Sequence, residues 1–126
     1  MRRPIFIGIR ATIAENLGSR KVGDTHVIGY NEYNSYHRIQ GTIRKIITTP
    51  HGKLFFLVNN RDYDVSLGLK KDTPYGVHNW PLIPVWVSEC GSSGILLGDD
   101  KDPEMKALIK AERQSMEDEI IRYMAI

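Results

Sequence analysis

Three sets of residues have the types and spacing to do chemistry, and all three favour holding an anion over breaking a bond. The first is Lys106, Lys110 and Arg113. At about 100° per residue of helix they fall on one narrow stripe. Beside it runs an apolar stripe of Met105, Ile109, Met116, Ile120 and Met124. Cations flanking a hydrophobic seam could line a pocket for a phosphate or pyrophosphate once the seam is buried. Equally, they could be solvated flank residues whose stems cover the seam, with Glu117 pairing Arg113 one turn on. The second set is Arg38, Arg44 and Arg61, with Tyr30, Tyr33 and Tyr36 close by in sequence. Arginines and aromatics on a bare sheet face suit nucleotides or single strands, unless the tyrosines merely pack across strands. The third is the loop 75–81, in which Tyr75 and Trp80 offer flat rings, Asn79 an amide and Gly76 close approach. Such loops often bind ligands, but a Trp80 that plugs the end of a sheet is the structural alternative.

Bond-making chemistry has little support. Metal sites need clustered ligands, whereas His26, His37, His51 and His78 are scattered. Cys90 has no histidine near it in sequence, and a buried, inert thiol is the expectation. No phosphate-cradling glycine motif is present. Asp99, Asp100 and Asp102 lack the spacing of a calcium loop. Asp62 and Asp64 share a strand face, which alone argues weakly for acid–base work. The expectation is a binding protein rather than an enzyme, with no cofactor and no metal.

These side chains need elements to hold them. Residues 36–48 alternate, with Ile39, Ile43 and Ile47 on one face and Arg38, Gln40, Thr42 and Arg44 on the other. Gly41 suggests a bend or bulge, and Lys45 falls on the apolar side, so the pattern slips there or the lysine sits at a rim. After a turn at 49–52, residues 53–58 return as a strand that is apolar throughout, as expected of one covered on both faces. Residues 5–13 and 22–30 suggest another hairpin, although 11–17 also has helical spacing ended by Gly18. Residues 31–35 read as a polar loop, 63–69 as a weak strand and 72–81 as irregular. Ile83, Val85 and Val87 alternate around Pro84, which suggests an edge strand. A turn at 91–94 leads to a last apolar run, 95–97. Asp102 can then cap a helix opened by Pro103, and nothing from there to the end breaks it, although a kink near Gln114 and Ser115 would divide it in two.

The chain therefore reads as α+β, a single domain spanning 1–126. Residues 1–98 are mostly β, an antiparallel sheet of about six strands or a partial barrel. A helix or helix pair over 103–126 closes it. Its 126 residues suffice for a core, and 41% hydrophobic with 25% charged residues suits a globular chain. No apolar run approaches membrane-spanning length, so no membrane partner is expected. The apolar stretch after Arg2 and Arg3 is too short for a secretion signal and is interrupted by Arg10. A single cysteine excludes an internal disulfide and fits a reducing cytoplasm. The charge is sorted by position. Residues 1–61 carry ten bases and three acids, a balance of +7, and residues 62–126 carry seven bases and twelve acids, a balance of −5. The near-neutral total hides a half suited to meeting an anion.

A compact antiparallel sheet followed by C-terminal helices with spaced cations resembles the phage anti-Thoeris sponge proteins. These sequester the cyclic ADP-ribose signals of bacterial TIR enzymes, and some members also hold cyclic oligonucleotides of the CBASS pathway at a separate site. The resemblance implies a non-catalytic sponge for a small cyclic nucleotide in the host cytoplasm, assembled as a homo-oligomer, a dimer or a hexamer. It implies phosphate contacts from Lys106, Lys110 and Arg113, and base or ribose contacts from Trp80 and Asn79, with Tyr75 in reserve. Arg38, Arg44 or Arg61 would serve a second basic site. Lysines where the family often has arginines would lack bidentate contact. The rival readings are a single-stranded nucleic-acid binder and a protein-binding inhibitor of a host defence enzyme.

Overall fold

The computed structural model describes residues 9–32, 34–60, 77, 80–96 and 103–124; for 9–11, 120, 121, 123 and 124 it describes the backbone alone. Six antiparallel strands close into a barrel in sequence order: β1 (Ile9–Ile13), β2 (Thr25–Glu32), β3 (Ser35–Thr49), β4 (Gly52–Asn59), β5 (Leu82–Ser88) and β6 (Ser93–Leu96). Strand β6 returns to pair with β1, which removes the free edges that an open sheet would expose. One helix, α1 (Pro103–Met124), follows. It runs unbroken through Gln114 and Ser115, so the chain ends in one helix and not a pair.

Strand β4 shows how sequence becomes architecture. Alternation sends Phe55 and Leu57 into the barrel, where they pack with Ile28, Ile39, Ile83 and Val85. Leu54 and Phe56 point outward and pack with Leu82 and Trp86 under Met105, Ile109 and Met116 of α1. An all-apolar strand is thus buried on both faces, by the barrel interior and by the helix. Leu17 joins the interior cluster from a 3₁₀ turn (Leu17–Ser19), at the end where β1 stops.

Strand β3 carries the main departure from simple alternation. Ile43 is in register with Leu57 and Lys45 with Phe56, so Arg44 is an extra residue, a β-bulge. Ile39, Ile43 and Ile46 therefore join the interior, whereas Ile47 lies outside, in the cluster beneath α1. Three isoleucines on one face was the expectation, and the bulge overturns it for Ile47. Gly41 is not the bulge. It permits close approach, since a Cβ there would sit 3.0 Å from the Leu57 Cβ.

Other expectations also shift. Residues 11–17 are a strand to Ile13 and then a turn in which Asn16 has φ 64°, not a helix. The loop expected at 31–35 is shorter than that, because β2 and β3 remain in register out to Glu32 and Ser35. Strand β5 is not an edge, because it pairs with β4 and β6. Its pairing with β6 begins at Val85, which leaves Pro84 and its missing N–H just outside that ladder. The strand expected over 63–69 and the cap expected at Asp102 lie outside the described residues.

Candidate functional site

The helix presents two flanks with opposite fates. Its buried stripe is Met105, Ile109, Glu112 and Met116, so an acid occupies an otherwise apolar seam. The bulge explains it. Arg44 projects from β3 and donates from Nε to Glu112 Oε1 at 2.7 Å. Its two Nη atoms reach the two carboxylate oxygens of Glu119 at 2.6 and 3.0 Å, and Nη2 also reaches Ser115 Oγ at 3.2 Å. Lys45 Nζ lies 3.5 Å from the other Glu112 oxygen. The Arg44 guanidinium holds the exposed Glu119 carboxyl below its ordinary pKa. Arg44 therefore ties the helix to the barrel and is not an open cation of a second anion site.

On the other flank, Lys106 and Lys110 are exposed, and neither forms an ion pair among the described residues. Arg113, beside them on the stripe, is half-buried, and burial lowers its pKa. The flank thus offers two open ammonium groups and one sunken guanidinium. Ile120 and Met124, the far end of the expected seam, lie where only the backbone is described.

Trp80 belongs to the barrel interior. It is 2% exposed and packs with Tyr30, Val77 and Ile83, while Asn59 Nδ2 donates to its carbonyl at 3.0 Å. Buried in this way, its ring offers no open face to a base, and it does not share a cluster with α1. Asn79, Tyr75 and Arg61 lie outside the described residues.

Among the described side chains, Arg38 is a sheet arginine that remains open. Before the bulge, β3 turns Tyr36, Arg38 and Gln40 outward, away from the interior that holds Ile39. Arg38 is in register with Gly29 of β2, and Gly29 with Ile13 of β1. The phenol end of Tyr36 lies directly over Gly29, where a Cβ would come within 2.6 Å of Tyr36 Cζ. Around this row is an open groove of about 590 Å³, lined among others by Ile13, Arg20, Val27, Tyr36 and Arg38. Ile13 is 54%, Val27 41% and Tyr36 54% exposed, a cluster of large apolar groups unusual on a wet face. His26 borders the groove, and its pKa is lowered first by burial and then by Arg20, against a hydrogen bond to the Glu15 backbone. Sequence reasoning found Arg38 through alternation, and Tyr36 only as an aromatic close by in sequence. It missed Arg20, which arrives from the loop after β1, and the use of Gly29 as a seat for a ring.

Cys90 is exposed at the turn between β5 and β6, not buried. Ser88 Oγ lies 3.1 Å and Ser92 Oγ 3.6 Å from its sulfur, and these contacts lower the thiol pKa to about 7. Among the described residues no three His, Cys, Asp or Glu side chains gather as metal ligands, and no helix is long and apolar enough to cross a membrane. Comparison with known proteins finds no matching family model, no matching curated protein and no matching solved structure.

Proposed function

We propose that this protein is a non-catalytic sponge that binds a cyclic nucleotide immune signal, a cyclic ADP-ribose isomer or a cyclic oligonucleotide, and holds it intact within a homo-oligomer, as the resemblance of its layout to the anti-Thoeris proteins implies. The observation that supports the reading is the division of the basic residues. Arg44 and Lys45 are engaged by helix carboxylates. Arg20, Arg38, Lys106 and Lys110 have no acidic partner among the described residues and remain open to an anionic guest. Enclosure of the phosphates by such groups slows release, and slow release is what sequestration requires.

The test is to mix purified protein with the product of a TIR enzyme, measure the free signal, then heat the complex and weigh what is released. The expected result is depletion followed by return of the unaltered mass. A changed mass, or no depletion, rejects the reading. Lys110→Glu is expected to weaken capture at least tenfold. Lys53→Glu, whose ammonium contacts the Gly18 carbonyl at 3.3 Å, should leave it within about twofold.

A second reading, a single-stranded nucleic-acid binder, is favoured by Tyr36 standing exposed beside Arg38 on the sheet. It requires affinity that falls steeply with salt, and a gel shift that survives Arg38→Ala unchanged would reject it.

A further inference from the structure

We propose that the groove on the outer face of β1, β2 and β3 is itself a nucleotide site, separate from the helix lysines, which seats a planar base on Tyr36 and a phosphate between Arg20 and Arg38. The assignment rests on the sponge reading and names a further place on the chain where a nucleotide is held. Three observations carry it. The groove, at about 590 Å³, is of the size that small ligands occupy. Its floor is Gly29, and the missing side chain lets the Tyr36 phenol lie on the sheet with much of its surface open. Ile13 and Val27 extend that apolar floor.

The charge completes the match. Arg20 and Arg38 line the same groove, one from the loop after β1 and the other from β3. Neither has an acidic partner among the described residues. An aromatic platform flanked by two guanidinium groups is complementary to a ring joined to a phosphate, and neither half alone would use both. Glu15, also at the rim, is an acceptor for a ring amine or a ribose hydroxyl. It also reduces the net positive charge, so a densely charged polyanion gains less here than a small nucleotide does.

The test titrates a fluorescent ADP analogue into the full chain, with inorganic pyrophosphate and a single-stranded dodecanucleotide as competitors. Arg20→Ala, Arg38→Ala and Tyr36→Ala are each expected to weaken ADP binding at least tenfold. Gly29→Ala removes no charge and sits on ordinary extended backbone, so its expected loss of at least about fivefold reports displacement of Tyr36 alone. Lys53→Glu should leave ADP binding within about twofold, Lys106→Glu and Lys110→Glu serve as the helix variants, and circular dichroism melts check that each variant is folded. ADP binding that ignores the groove variants but is lost with the helix variants overturns the groove and leaves the sponge reading standing. Failure of the wild type to bind any nucleotide, cyclic ADP-ribose included, overturns both. Pyrophosphate that competes as well as unlabelled ADP, with Tyr36→Ala silent, overturns the base platform. A dodecanucleotide that outcompetes ADP through the same residues overturns the small-ligand assignment and names a strand as the occupant.

Discussion

A turn can set the reactivity of a side chain. The hydroxyls of Ser88 and Ser92 stabilise the Cys90 thiolate, so its alkylation by iodoacetamide should rise with a midpoint near pH 7. In Ser88→Ala that midpoint should move upward; an unchanged profile would remove Ser88 as the cause. His26 acts through stability. Its folded pKa is depressed below the unfolded value of 6.5, so the fold favours the neutral ring. The stability this gives is complete above pH 6.5 and declines as the pH falls below it. Wild-type melting temperatures should therefore drop more between pH 7.5 and pH 5 than those of His26→Asn. Equal drops would show that His26 does not titrate on unfolding. Of the residues in the groove, Arg38 was legible because a period of two fixes its face, and Tyr36 only as a ring close by in sequence. The seat beneath Tyr36 was not, because a glycine in a strand signals close approach without naming the neighbour.

Among the elements, the helix was legible from Pro103 and an unbroken run of helix formers, and its buried face from the spacing of Met105, Ile109 and Met116. The acid within that face was not legible. Glu112 is buried because a β-bulge 68 positions earlier supplies its partner, and no local pattern carries that information. Lys45 on the wrong side of β3 was the trace that the bulge left in the sequence. Glu112→Ala should cost about 2–3 kcal/mol, since it strands a mostly buried guanidinium that keeps Glu119. Lys45→Ala, which removes an exposed partner, should cost less than about 1 kcal/mol. Urea denaturation checks both, and equal effects would contradict the ranking. Acid should loosen the same tie. The Glu119 carboxyl titrates below its unfolded value of 4.5, so its contribution is complete above that pH and is lost as the pH falls through the lowered pKa.

For the whole molecule, the sheet, its antiparallel order and the terminal helix could be read in advance, because alternation, turn residues and caps are local. Closure could not, because it depends on β6 meeting β1 across the length of the sheet. The thinnest pairing lies beside that seam. Strand β1 shares register with β2 through Thr12 and Ile13 alone among the described residues, whereas β3 and β4 pair from Gly41 to Thr49. Native-state hydrogen exchange should therefore find the amides of β1 opening before those of β3 and β4. Uniform protection around the barrel would refute this. The bulge has one more consequence. Because residue 44 is surplus to the ladder, a chain shortened by that residue would keep Ile43 and Ile46 inside and Lys45 and Ile47 outside. Length at this point is thus decoupled from the inward and outward pattern, so the loss of one codon there removes the Arg44 tie to the helix while leaving the barrel wall and the apolar contacts of the helix in place.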